Sequence, residues 1–245
     1  MNPRAIIQAA GRSSRWKSDI PKHLVPINGT TLLQNTTDKL LKYTNDIIII
    51  GNDERYRVDG TKLYIPTNRH PEWYDLEVFK VTVPLWSDNH TIILAGDAYY
   101  TEEALRITFQ PTSTWRWTLR ATPSTKTGKQ YKETFALSIH PSQYSFFISN
   151  IDSLIRLTTT NYSNWRLLSR LINLTQEEAT ALIYDLNNYK PIQKIIEHPN
   201  VAHIDDMTED FDTIEDYLVW LKRHANYHAT CDTLNEASQT SHNPN

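Results

Sequence analysis

The chain has 245 residues, 39% of them hydrophobic and 22% charged, with 25 Lys+Arg against 28 Asp+Glu and a formal charge of −3. That length buries a full core, and the composition excludes a disordered or fibrous chain over most of it. The slightly acidic balance argues against a general electrostatic grip on nucleic acid, and a single cysteine, Cys231, excludes a disulfide framework or a cysteine-based zinc site within one chain.

No apolar run approaches the ~20 residues needed to cross a bilayer. The opening Met-Asn-Pro-Arg runs straight into an apolar stretch and lacks the features of a signal peptide, so a cytoplasmic location is expected, with no membrane partner.

Arg4 to Ala10 is short and apolar and reads as a buried strand ending at Gly11. A polar loop, 12–22, follows. Thr31 to Tyr43 has helical spacing of Leu32, Leu33, Leu40 and Leu41. Asp46 to Ile50 is uniformly apolar after its first residue, as in a strand buried on both faces of a parallel sheet. Strand, helix and strand in this order predict a βαβ unit. Lys62 to Ile65 predicts a short strand, Asp75 to Trp86 a helix limited by Pro84, and Thr91 to Ala95 another buried strand that stops at Gly96-Asp97. Thr101 caps a further helix.

From 107 to 150 the chain is rich in Thr and aromatic residues. Strands are expected at Trp115–Arg120 and Thr134–His140, forming an antiparallel insert around a basic loop at 126–132. Residues 151–200 read as a helical portion, with a capping box at Thr175 to Glu178 and Pro191 breaking the run after it. Val201–Ile204 reads as a strand, 205–216 as an acidic stretch, and Ile214–His224 as an amphipathic helix. The tail, 229–245, lacks periodicity and is expected to be disordered, leaving 1–228 as one domain.

Three places concentrate chemistry. In Ala9-Ala10-Gly11-Arg12-Ser13-Ser14-Arg15, a glycine after a strand is followed by N–H groups and hydroxyls that can form an anion site. Arg15 can grip phosphate as a fork and Lys22 as a point charge. A solvated basic turn is the competing reading. The loop matches neither the P-loop nor the dinucleotide fingerprint. Gly96-Asp97 sets a carboxylate at the carboxyl end of a buried strand, where open α/β sheets bind ligands. Asp210-Phe211-Asp212-Thr213-Ile214-Glu215-Asp216-Tyr217 places acids before the last helix, where capping is the competing use.

The order Ile6 to Arg15, then Pro21-Lys22-His23-Leu24, resembles the pattern A-A-G-x-[GS]-[ST]-R followed by P-K-x-L. This is found in the GT-A-like nucleotidyltransferase superfamily, with its sugar-phosphate nucleotidyltransferases and MobA-like NTP transferases. The Ser13-Ser14 form is similar to the molybdenum-cofactor and cytidylyl branches. Ile92 to Asp97 looks like the family's strand ending in a metal-binding Asp, and 210–217 is similar to D-x-D-T-P-E-D-[LY], with Ile214 in place of Pro.

The resemblance implies a Rossmann-like, three-layer α/β/α fold with a mainly parallel twisted sheet. It implies a nucleotidyltransferase that joins a nucleoside monophosphate from a triphosphate to a phosphosugar or related phosphorylated acceptor, releasing pyrophosphate. Ala9, Ala10, Gly11, Arg12, Ser13, Ser14, Arg15, Lys22 and Gly96 would contact the nucleotide and its phosphates, with Arg15 and Lys22 catalytic. Asp97 and Asp212 would hold Mg²⁺, with Asp210 as the alternative to Asp212. In the stretch where the resemblance is thin, Lys126, Lys129, Lys132 and Glu133 are the candidates to meet an acceptor phosphate and hydroxyls, with Lys132 and Glu133 preferred and a solvated hairpin loop as the competing reading. Arg69 and His70 lie where relatives contact the nucleotide. A glycosyltransferase using a nucleotide-sugar donor and a non-catalytic nucleotide-binding homologue are the alternatives. The helical portion would cover the acceptor or mediate a homodimer.

Overall fold

A computed structural model describes residues 2–11, 13–67, 75–157, 163–184 and 189–225. The expectations placed on Arg12, Arg69, His70, Cys231 and the 229–245 tail lie outside these.

Among the described residues, seven strands form the central sheet: β1 (Arg4–Gln8), β4 (Asp46–Ile50), β5 (Lys62–Tyr64), β6 (Thr91–Ala95), β8 (Trp115–Arg120), β9 (Glu133–Ile139) and β10 (Val201–His203). Their order is β10-β8-β9-β6-β1-β4-β5. Only β9 runs against its neighbours, so the sheet is mainly parallel, and the 107–150 stretch adds its two strands, β8 and β9, to the same sheet.

The central strands are apolar on both faces because both faces are covered. Ile6, Ile48, Ile50 and Ile93 face a layer made by α2 (Asp75–Thr82), α4 (Tyr144–Leu157), α5 (Asn164–Leu171), α6 (Gln176–Tyr184) and α7 (Tyr189–Ile196), through Leu76, Phe79, Phe147, Ile151, Leu167, Leu182 and Ile195. Ala5, Ile7, Ile47, Ile49 and Leu94 face the other layer, where α1 (Leu32–Leu40) contributes Leu33 and Leu40, and α3 (Glu102–Thr108) contributes Ala104 and Leu105. The result is a three-layer α/β/α sandwich.

Two helix ends differ from the sequence reading. The helix beginning at Asp75 ends at Thr82, and a 3₁₀ turn, Val83–Leu85, absorbs Pro84. Pro191 sits in the first turn of α7, where its missing N–H costs nothing. The Thr175 capping box forms as expected: Glu178 N–H donates to Thr175 Oγ1 at 3.1 Å and Thr175 N–H to Glu178 Oε2 at 3.0 Å.

Two short hairpin-like ladders set the functional end. β2 (Pro26–Ile27) and β3 (Thr30–Thr31) turn through Asn28 and Gly29, both at positive φ (52° and 81°). Such a turn matches the twist of a two-residue hairpin. β7 (Ala98–Tyr99) pairs antiparallel with β11 (Glu209–Asp210), opposing Asp210 to Ala98. A third apolar cluster locks both ladders to the last helix, α8 (214–225): Trp16, Val25, Ile27, Tyr99, Met207, Phe211, Tyr217 and Trp220. Trp16 thereby anchors the loop between β1 and β2.

Candidate active site

Gln8, Ile50 and Ala95 are level at the carboxyl ends of β1, β4 and β6. From β1 the chain crosses to β4 on one side, and β6 pairs on the other. The end of β1 is thus the point where strand order reverses, which is where open α/β sheets form a crevice. A cleft of about 360 Å³ lies there. Gly11, Ser13, Ser14, Arg15, Lys22, Asp97, Glu133, Asp210 and Asp212 all reach it, together with residues the sequence reading passed over: Gln8, His23, Asp75, Val78, Thr134 and Asn164.

The two glycines flanking the cleft serve different ends. At Gly96 a Cβ would lie 2.5 Å from the Gln8 carbonyl oxygen, and the Gly96 N–H donates to that same oxygen at 2.9 Å. Close approach of two strand ends requires glycine here. At Gly11 a Cβ would meet nothing within 4 Å and φ is not positive, so neither packing nor turn geometry in the free protein calls for glycine. A side chain there would stand in open space beside the cleft that Gly11 lines. Ala9 and Ala10 are buried behind this loop as part of the core, and the Ala9 N–H is taken by the Ile50 carbonyl.

Lys22 is 8% exposed and its ammonium donates to the Asp97 carboxylate. Burial works against its charge, but Asp97, with Asp212 and Asp210 nearby, outweighs burial and raises its pKa. Burial likewise opposes the Asp97 charge, yet Lys22 and His23 hold that carboxyl below its ordinary range. Arg15, 68% exposed, donates to Asp212 Oδ1 at 2.6 Å. These are ion pairs of different weight: the first is desolvated, and the second is largely screened on its arginine side.

The acids of the C-terminal stretch are brought to the cleft by the β7–β11 ladder and by the Phe211 N–H, which donates to the Asp97 carbonyl at 3.0 Å. Capping of α8 uses Thr213 and Asp216, which bond reciprocally at 3.1 and 3.0 Å. Asp212 is left for the cleft. It forms with Glu133 and Asp210 a group whose carboxylate oxygens lie within 4.8 Å of one another. Asp97 is not one of that group of three, and its carboxylate accepts from Lys22. Burial, then the adjacent Asp210, pushes Asp212 up to about 6, against Lys129, Arg15 and Lys22. Burial and Asp210 hold Glu133 well above the usual carboxylate range.

Of the residues expected to meet an acceptor, Glu133 lines the cleft, while the Lys132 ammonium lies 5.6 Å from the centre of the Trp165 ring. Trp115 and Trp117 are core residues. Asn164 instead forms the cleft wall: its N–H donates to Asp75 Oδ2 at 3.3 Å and its Nδ2 to Thr134 Oγ1 at 3.4 Å. Asn164 Oδ1, Gln8 Nε2 and His23 Nδ1 are buried atoms with no partner among the described residues. Buried polar atoms are rarely left unpaired, and three on residues lining one cleft suit a polar ligand. A Gln at the end of β1 and an Asn just before the Trp165 run were visible in the sequence, but nothing there placed them together.

Residues 5–108 match the MobA-like NTP transferase domain. Over 55 residues the chain is 40% identical to the 2-C-methyl-D-erythritol 4-phosphate cytidylyltransferase of Vibrio atlanticus (strain LGP32), covering 21% of this chain and 24% of that protein. The aligned part thus spans about a quarter of that relative's length. The enzyme of the same name from Thermosipho melanesiensis is 22% identical over 195 residues, 75% of this chain and 85% of that one. Among solved structures, the inositol-1-phosphate CTP transferase from T. maritima has a TM-score of 0.59 at 16% identity, covering 91% of this chain and 96% of that one. The CTP:phosphocholine cytidylyltransferase of Streptococcus pneumoniae has a TM-score of 0.54 at 16% identity, covering 89% and 96%. At such identities the structural likeness establishes the fold. Residues 5–108, the stretch that carries Gly11, Arg15, Lys22 and Asp97, are thus similar to the MobA-like NTP transferase domain, and the chain as a whole has the fold of these solved nucleotidyltransferase structures.

Proposed function

We propose that the chain transfers a nucleotidyl group, with a cytidine nucleotide as donor, from a nucleoside triphosphate to a phosphorylated alcohol or sugar, releasing pyrophosphate. The observation that carries this reading is the convergence of two cations, Lys22 and Arg15, with the acids Asp97 and Asp212 at the carboxyl ends of β1 and β6. Cytidine is favoured because the curated relatives are named cytidylyltransferases.

The open side of Gly11 and the Ser13 and Ser14 hydroxyls would receive the triphosphate. Lys22 and Arg15 would lie against its charge. The acceptor's phosphate oxygen would attack the α-phosphorus, forming the new P–O bond. The bond from that phosphorus to the bridging oxygen would break, and pyrophosphate would leave with the electron pair. An acceptor phosphate has its second pKa near ~6, so it is ionised at neutral pH and needs no general base. The residues' contribution is positioning and stabilisation of charge on the leaving group.

Glu133, Asp210 and Asp212 offer only oxygen ligands on a shared centre, which fits a hard divalent cation such as Mg²⁺. When bound, Mg²⁺ would neutralise polyphosphate charge. Asp75, Thr134 and Asn164 would meet the acceptor's hydroxyl groups.

The test is a pyrophosphate-release screen of four nucleoside triphosphates against phosphosugars and phosphoalcohols, with and without Mg²⁺. Release confined to CTP with one acceptor class, and only with Mg²⁺, is the expected result. Binding of nucleotides without release across the whole panel would overturn it.

A further inference from the structure

Lys129 occupies the place a cation would take. Its Nζ lies 3.2 Å from Asp210 Oδ1, 3.6 Å from Asp216 Oδ2, 4.0 Å from Asp212 Oδ2 and 4.0 Å from Glu133 Oε1. It also donates to the Asp210 carbonyl at 3.2 Å, and its side chain is 9% exposed. Three of these four acids are the ones whose oxygens lie within 4.8 Å of one another. One ammonium and one divalent ion would therefore draw on the same three carboxylates.

The backbone beneath Lys129 is tied down on several sides. Arg120 and Glu209, both almost fully buried, form a two-pronged pair at 2.9 and 3.0 Å, and Arg120 Nη2 also donates to the Tyr131 carbonyl at 3.1 Å. Thr127 Oγ1 donates to Glu209. Ser124 Oγ and Thr125 Oγ1 donate to Asp205 at 2.8 and 2.6 Å. The Ser124 N–H is taken by the carbonyl of Lys129 itself at 2.8 Å. The main chain at 129 is fixed, whereas four methylenes leave the ammonium free to swing.

We propose that Lys129 is a built-in placeholder for the divalent cation: its ammonium neutralises the Glu133, Asp210 and Asp212 cluster in the free protein, and cation binding displaces it into the cleft. This rests on the cation reading above and adds to it an internal competitor. The energetic argument is that several carboxylates held together in a half-buried site repel one another and need a counter-charge for the fold to persist. In the free state the Lys129 ammonium lies among all three acids, with Arg15 pairing Asp212 from outside, and a doubly charged ion with a larger demand for oxygen ligands would replace the ammonium. Displaced, the ammonium would lie on the side from which phosphate charge enters.

The experiment is titration of the full chain with MnCl₂, followed by electron paramagnetic resonance and by thermal unfolding, for the native sequence, Lys129→Met and Lys129→Arg. With the competitor removed, Lys129→Met should bind Mn²⁺ roughly tenfold more tightly or better. Its unfolding temperature without Mn²⁺ should drop and should recover more on adding Mn²⁺ than that of the native chain. Lys129→Arg should bind no more tightly than the native chain. If Lys129→Met folds only in the presence of Mn²⁺, the placeholder role is supported in its strongest form. Affinity in Lys129→Met equal to or weaker than native, or failure of Mn²⁺ to restore an unfolded variant, overturns the placeholder while leaving the cation reading intact. Mn²⁺ bound by none of the three proteins removes the cation reading itself.

Discussion

Arg15 and Asp212 are separated by 197 positions in the chain and by 2.6 Å in space. The pair closes a ring: β1 leads to Arg15, Trp16 plugs the small apolar cluster against Tyr217, and α8 starts just after Asp212. The first and last segments of the described chain thus share one cleft. Because the arginine is solvated the pair is weak, so under the proposed function it would separate readily as a polyphosphate and its counter-ion bind.

Under the proposed reaction, Lys22 is the cation whose loss should lower turnover most. Unlike Arg15 it is buried, and among the described residues its ion pair is with Asp97 alone. Lys22→Ala should lower kcat by about a hundredfold, on the order of 3 kcal/mol of transition-state stabilisation. Circular dichroism confirms the fold and a pyrophosphate-release assay gives the rate. Full turnover in a folded Lys22→Ala protein would remove the proposed role.

Gly11 and Gly96 separate function from packing. Gly96→Ala pushes a methyl against the Gln8 carbonyl at 2.5 Å and should cost about 1–3 kcal/mol of stability. Gly11→Ala meets nothing and should leave stability within about 0.5 kcal/mol of native, while weakening triphosphate binding several-fold. Urea unfolding and nucleotide titration on both variants decide it. An unchanged nucleotide affinity in Gly11→Ala means the loop is not the cradle.

The central strands were legible because Ile47 to Ile50 and Ile92 to Leu94 are apolar without alternation, and only a strand covered on both faces needs that. Asp97 was read from its place just after the strand Thr91–Ala95, and Lys22 from the basic loop and the P-K-x-L resemblance. The two small ladders were not legible. Two-residue strands such as Ala98–Tyr99 and Glu209–Asp210 carry no period, although the Asn28-Gly29 turn was a signal the sequence reading did not use. Since the β7–β11 ladder is what draws Asp210 and Asp212 toward Asp97, and Glu133 begins β9 on the opposite wall, the three-acid cluster is a product of tertiary pairing. The 107–200 region stayed obscure for the same reason: Asn164 reaches Asp75 across 89 positions.

Cation affinity should depend on pH with a definite sign. Asp212 titrates at about 6, raised by burial and Asp210, so below that pH a proton must leave before a divalent ion can use its oxygens. Mn²⁺ affinity should therefore fall at least about tenfold from pH 7 to pH 5. Asp212→Asn should bind Mn²⁺ more weakly at pH 7 and show a shallower slope. Titration followed by paramagnetic resonance at several pH values measures both. An affinity that is flat across this range contradicts the three-acid site.

His23 makes the fold sensitive to acid. It is 1% exposed, its ring lies against Tyr56 at 5.5 Å, and Nδ1 has no partner among the described residues. Burial drives its pKa down from 6.5 to about 4, with Asp97 opposing and Lys22 adding to the shift. The unfolded chain binds this proton below pH 6.5, and the folded chain resists it until about pH 4. Stability from this group is therefore complete above 6.5 and drains away as pH falls toward 4. From pH 7.5 to pH 5 the loss should be about 2 kcal/mol. Other groups titrate in the same interval, so the comparison is with His23→Gln, which lacks the titration. Urea unfolding of both proteins across this range should show a fall steeper in the native chain by about that amount. Parallel slopes for the two proteins would mean that His23 gains its proton as readily folded as unfolded, and that the floor of the cleft is wetter than its burial indicates.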